Sequence, residues 1–180
     1  GRFYTITEAG ALAIKEQNLK NFQGAMEIYH RILAKFPDSA PAHNNRGVTL
    51  LAMKRYDEAL ASFNQAITLQ PGHAEAHNSR GAVLQYLGRY DDALASYDKA
   101  IALNPGYANA HHNRGSTLRR INRQGDALAS FEKAIVLKPD HAEAHNDRGV
   151  TLQEMKRYDD ALASFDKAIA LKTDHAGAYN

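Results

Sequence analysis

A step of 34 residues maps this chain onto itself: Ala74–Tyr107 and Ala142–His175, two steps apart, are identical at 23 of 34 positions. The same step carries Gly47 onto Gly81, Gly115 and Gly149, and Pro37 onto Pro71, Pro105 and Pro139. A fixed period in this range means that each unit is one supersecondary element, burying its apolar face only against its neighbours. Five units fit without a gap, at 6–39, 40–73, 74–107, 108–141 and 142–175, and residues 176–180 read as the start of a truncated sixth. The chain opens on Gly1 rather than Met. Taken with that stub, this gives the expectation of a fragment cut from a longer array.

Each unit carries two helical patterns. In the second, Ala42, Leu50 and Met53 belong to the first pattern, and Ala59, Leu60, Phe63, Ala66, Ile67 and Leu69 to the second. Spacings of three, four and seven place these residues on one face of a helix, not on the alternating faces of a strand. Small Ala59 and Ala66 beside Phe63 predict a close approach between the paired helices. Short turns separate the patterns at Lys54-Arg55, Gly88-Arg89, Asn122-Arg123 and Lys156-Arg157, with helix-stopping Gly88 and Asn122 at two of them. Acids open the second helices (Asp57-Glu58, Asp91-Asp92, Asp159-Asp160), where the helix dipole favours negative charge. The prolines close the units, because a residue before proline is pushed out of helical geometry. Thr173 departs from that rule. About ten helices are expected.

The columns Gly47, Leu50, Ala59, Phe63, Ala66 and Pro71, with their later copies, resemble the tetratricopeptide repeat pattern. The resemblance covers essentially the whole chain. It implies an all-α fold of antiparallel helix pairs stacked into a right-handed superhelix, with a concave groove lined by the first helix of each pair. The chain departs from the family at several columns. His43, His77, His111 and His145 stand where an aromatic is usual, and Arg46, Arg80, Arg114 and Arg148 where leucine is usual. Ala13 fills the glycine column of the first unit, which reads as a divergent cap, and Gln124 replaces the tyrosine of Tyr56, Tyr90 and Tyr158.

By the family's geometry the groove is lined by Asn44, Asn45, Asn78, Ser79, Gln85, Tyr86, His112, Asn113, Ser116, Arg119, Arg120, Asn146, Asp147, Gln153 and Glu154. Side-chain amides donate and accept, so a row of them bonds an extended backbone without demanding its sequence. Asn45 and Asn113 occupy the column of the asparagine ladder in the repeats of O-linked N-acetylglucosamine transferase; Ser79 and Asp147 depart from it. In the fourth unit Arg119 and Arg120 offer guanidiniums suited to a carboxylate in forked geometry, so an acidic segment is the expected ligand there. The carboxylate-clamp members of the family carry lysine and asparagine where this chain has Asn44 and Val48, and their function is not carried over.

The recurring arginines serve the stack better than a ligand, and each is expected to reach an acid on a neighbouring helix, for example Asp98 or Asp166. Histidines four apart (His73 and His77, His141 and His145) suggest a metal pair, but the first of each lies ahead of its helix and no cysteine is near. They read as packing residues, so neither a metal nor a cofactor is expected. Ser62, Ser96, Ser130 and Ser164 belong to the repeat and have no base beside them, and no phosphate loop or HExxH motif occurs. The chain therefore reads as non-catalytic.

Composition narrows the partners. A net charge of +2 with 23% charged residues gives no basic field for nucleic acid or an anionic membrane. The aromatics, apart from Tyr86, fall in core columns and form no base-stacking platform. No apolar run spans a bilayer. The absence of cysteine suits a reducing, cytoplasmic setting. The expected function is a protein-interaction scaffold that holds a peptide or partner segment in its groove. The alternatives are the substrate-recruiting arm of a larger enzyme, for example a glycosyltransferase, and a self-assembling element. In the last case the final helix pair (Ala161, Leu162, Phe165, Ile169) lies bare and stacks end to end on another copy.

Overall fold

The structure, a computed structural model, describes residues 22–177, with side chains as far as Lys172. The first helix expected in the opening unit, with Ala13, and residues 178–180 lie outside the described residues.

Nine α-helices, and no strand, occur among the described residues: α1 (Phe22–Lys35), α2 (Ala40–Ala52), α3 (Tyr56–Leu69), α4 (Ala74–Tyr86), α5 (Tyr90–Leu103), α6 (Ala108–Arg120), α7 (Gln124–Leu137), α8 (Ala142–Glu154) and α9 (Tyr158–Gly177). First helices begin at Ala40, Ala74, Ala108 and Ala142, and second helices at Tyr56, Tyr90, Gln124 and Tyr158, so the sequence period is reproduced in the backbone. The chain divides into two compact halves, Gly1–Arg89 and Tyr90–Asn180. In the first, α1 packs on α2, α2 on α3 and α3 on α4; in the second, α5 packs on α6, α6 on α7, α7 on α8 and α8 on α9. The class is all-α, built from antiparallel helix pairs stacked in chain order.

The turns within the pairs share one backbone solution. Lys54, Gly88, Asn122 and Lys156 have φ of 59°, 73°, 60° and 61°, the left-handed conformation that ends a helix and turns the chain back. Glycine and asparagine were legible as stops at two of these sites. At the other two, lysine accepts the same conformation, because the pairing of the helices on either side leaves the chain no other route. Between pairs, Gln70 and Lys138 leave the helix with φ of −138° and −140° ahead of Pro71 and Pro139, as the proline requires. With Thr173 in that column, α9 runs on for 20 residues to Gly177.

The core is a string of small clusters. In the first half, Ala25, Tyr29, Ile32 and Ala42 form one, and Leu50, Ala59, Phe63 and Val83 the next. In the second half, Leu118, Ala127 and Phe131 are joined by Leu94 and Ile121, and Leu128, Leu152 and Ala161 by Phe165. Phe63 and Phe131 are fully buried, each contributing about 2–3 kcal/mol relative to exposure. The glycine column explains the close approach. A Cβ built on Gly47, Gly115 or Gly149 would stand 2.7 Å from a ring carbon of Phe63, Phe131 or Phe165 respectively. The phenylalanine of the second helix therefore lies directly on the backbone of the first.

Candidate functional site

Because the apolar columns are used for pairing, the polar columns of the first helices are turned the other way. Within each half two first helices also lie beside one another, α2 by α4 and α6 by α8, forming a shared face.

In the first half this face carries Asn44, Asn45, Asn78, Ser79, Gln85 and Tyr86. Asn45, Asn78, Ser79 and Gln85 are half-buried. Asn44 differs from the expectation of a presented amide: it is buried at 6% exposure, with its side-chain carbonyl unpartnered. Tyr86 is 65% exposed and stacks on Tyr56, ring centres 5.3 Å apart and planes 11° from parallel.

In the second half the face is charged and knitted together. His112 Nε2 donates to Asp147 Oδ2 across 2.8 Å, and Ser116 Oγ donates to the same oxygen across 3.3 Å. Seven residues along α6, Arg119 Nη1 donates to Glu154 Oε1 across 3.0 Å. Each contact joins α6 to α8, about one repeat onward. Burial pulls the Asp147 carboxyl upward, but the His112 hydrogen bond, the charges of His112 and Arg119 and the Ser116 hydroxyl together hold it below the usual aspartate range. Behind this pair sits His141, its ring centre 4.9 Å from that of His112, donating from Nδ1 to Glu143 across 3.2 Å. Burial, then the charges of His112 and Lys138, push His141 below the ordinary histidine range against the pull of Glu143. Asn113 and Asn146 are half-buried, while Arg120, Gln153 and Glu154 are exposed.

Arg119 is thus not the open guanidinium that the sequence suggested. It is answered from within the chain by Glu154, because the acid one repeat later falls on the neighbouring helix at the same height. Arg120, one residue on, points to solvent.

The recurring polar columns have structural work. Arg114 donates from Nε to Asp98 and from Nη1 to Ser130 Oγ, both across 2.7 Å, and Ser130 Oγ donates onward to the Asp126 carbonyl across 2.9 Å. Arg148 repeats the bond to Ser164 (2.8 Å) and faces Glu132 at 3.7 Å, not Asp166. The acid comes from the preceding pair, so the Asp166 column lies one unit too late for Arg148. The role of the serines was missed from sequence, although a constant separation of 16 residues between two repeating columns was there to be read. The histidine column is also explained. His43, His77, His111 and His145 each bond the carbonyl of the proline six residues earlier, and among the described residues no three His, Asp or Glu side chains converge as a metal site.

Among the exposed apolar residues, Tyr158, Leu162 and Ile169 share one side of α9, at 63%, 61% and 61% exposure. Leu128, in the same column as Leu162 one repeat earlier, is 7% exposed because α8 covers it. Tyr158 thereby joins Tyr86 as an aromatic outside the core. No described helix is long and apolar enough to cross a membrane.

A family profile described as tetratricopeptide repeat matches residues 40–73, 74–107 and 142–175, and two further profiles of that description match 12–39 and 96–129. The 96–129 match runs across the fourth unit's expected start, where the arginine-rich departures lie. No curated protein sequence matches the chain. Among solved structures, a crystal structure of MamA superposes with a TM-score of 0.80 at 23% identity, covering 98% of this chain and 99% of that one. PilW, described as a widely conserved type IV pilus biogenesis factor, gives 0.86 at 25%, covering 92% and 76%. YrrB, described as a TPR protein with an unusual peptide-binding site, gives 0.69 at 25%, covering 94% and 87%.

Proposed function

The chain belongs to the tetratricopeptide repeat family, and from that premise we propose that it is a non-catalytic interaction scaffold that holds a peptide or partner segment on the face formed by its first helices. The observation that carries this reading is the division of labour within the helices. Apolar columns are sealed between paired helices, whereas amides, hydroxyls and charges gather where neighbouring first helices lie side by side. Such a surface is pre-organised, so the cost of ordering falls on the ligand. The likeness to YrrB, whose description names a peptide-binding site, supports the same assignment. Arg120, exposed beside the half-buried Arg119, favours an acidic stretch in the ligand.

Affinity capture from host lysate, read by mass spectrometry, tests it. The Asn45→Ala/Asn113→Ala double variant removes amides without touching the core, and Arg119→Glu/Arg120→Glu reverses charge. A partner held by the wild type and lost from both variants supports the reading. A partner held equally by all three places the binding surface elsewhere.

A second reading is favoured by the exposed apolar side chains on α9. Tyr158, Leu162 and Ile169 occupy columns that a following first helix covers in earlier pairs, and a second copy of the chain stacked there would cover them. Sedimentation velocity over a hundredfold concentration range distinguishes the cases. Self-association abolished by Leu162→Gln/Ile169→Lys supports stacking, and a strict monomer discards it.

A further inference from the structure

We propose that Glu154 is a built-in competitor: its carboxylate occupies Arg119 on the first-helix face, and an acidic partner segment docks by displacing it. This rests on the reading of that face as a partner-binding surface and adds how the surface is controlled.

Three observations carry the proposal. The first is that the pair is incomplete. Glu154 reaches Arg119 through one oxygen on Nη1 across 3.0 Å, while Arg119 Nε is buried with no partner. A guanidinium is built for two parallel bonds to a carboxylate, and leaving one buried donor unmet is unfavourable. The pair is thus held by a single bond, whereas the forked Arg55–Glu58 pair of this chain engages Nε and Nη2 together.

The second is that Glu154 is weakly held. It is the last residue of α8, where the helix carbonyls repel a carboxylate. Ala52, Tyr86 and Arg120 fill its column in the three preceding repeats, so the acid is peculiar to this position and the repeat fold does not require it. Its side chain is 39% exposed, against 27% for Arg119, which leaves it room to turn into solvent.

The third is the surroundings. Exposed Arg120 adds positive charge next to the pair, while Asp147, the other acid on this face, is already engaged by His112 and Ser116. Once Glu154 leaves, Arg119 keeps only the longer-range attraction of Asp147, and with exposed Arg120 it forms a cationic spot for a ligand carboxylate.

The test is fluorescence anisotropy with a labelled hexaglutamate peptide, acetylated and amidated, and a hexaglutamine peptide as control. The proteins are wild type, Glu154→Gln, Arg119→Gln and the double variant, each checked for an unchanged circular dichroism melt. Partly exposed ion pairs are weak, so releasing this one should tighten hexaglutamate binding by roughly fivefold. The gain should shrink at high salt and vanish in the double variant, with hexaglutamine indifferent throughout. Glu154→Gln binding no tighter than wild type overturns the proposal, as does undetectable binding to both. A gain that survives in the double variant also overturns it, because bulk charge would then explain the effect. The amide variants tested by lysate capture leave Glu154 in place, so failure of the competitor and failure of the binding face are distinguishable.

Discussion

His77 Nε2 lies 3.0 Å from the carbonyl oxygen of Pro71, and the contact recurs between His43 and Pro37 (2.8 Å), His111 and Pro105 (3.2 Å) and His145 and Pro139 (3.0 Å). Each histidine of a first helix thus ties that helix to the loop that delivers it. A carbonyl only accepts, so Nε2 carries the proton in every case. The ring replaces an aromatic as filler and adds a bond that a phenyl cannot make.

His77→Phe is therefore expected to cost about 1 kcal/mol, since the ring is kept and the Pro71 carbonyl loses its partner. His77→Ala should cost more, through the added cavity. Urea titration of the two variants checks the order; equal losses would show that ring volume alone matters.

The left-handed lysines make a prediction of the opposite sign. Lys54→Gly and Lys156→Gly remove a side chain from a conformation that disfavours it, at φ of 59° and 61°. Each should stabilise by up to about 1 kcal/mol. Gly88→Ala, at φ of 73°, should destabilise by a similar amount. Melting temperatures that moved together in all three variants would contradict the assignment.

The Gly115–Phe131 approach predicts a strong coupling. Gly115→Ala brings a methyl to 2.7 Å from the ring, and the helices must separate or the ring must turn, at a cost of about 1–3 kcal/mol. Phe131→Leu alone loses buried area, but in the Gly115→Ala background it should relieve the clash. A double-mutant cycle with additive losses would refute direct contact.

Stability should fall with acid in two windows. His111 is held below the ordinary histidine range by burial, with Lys133 and Arg114 adding to it against the Pro105 bond, and His141 is lowered in the same direction. A base with a depressed folded pKa binds protons better when unfolded. Its contribution is complete above the unfolded value of about 6.5 and drains away as pH falls through the lower folded one. Asp147, held low by its partners, contributes above its unfolded value of about 3.9 and loses that contribution in more acid solution. The melting temperature should be level from about pH 7 to 8 and drop below about 6.5 and again below about 4. His141→Gln should soften the first drop and Asp147→Asn the second. A rise in stability from pH 7 to 5 would contradict the sign.

The period, the helix pairs and the apolar columns were legible in the sequence, because a repeat writes the same packing problem several times. The close approach of paired helices was legible from small Ala59 and Ala66 beside Phe63, whereas the seating of Phe63 and Phe131 on Gly47 and Gly115 emerged from the structure. Proline marked the ends of the pairs, and Thr173 marked where that rule would lapse, as the continuation of α9 bears out. Within each half, the polar columns of the first helices were legible as such, since most of what does not pack points elsewhere.

Tertiary structure alone decided how those columns answer one another. Whether Arg119 is open or paired depends on the acid that the next repeat brings beside it, and helix-to-helix distance is not written in either residue. Likewise Arg148 meets Ser164 and faces Glu132 rather than Asp166, and Asn44 is buried where an exposed amide was expected. Side-chain chemistry and periodicity are local properties carried along the chain. Pairing and burial are properties of space between helices, fixed only when the pairs stack.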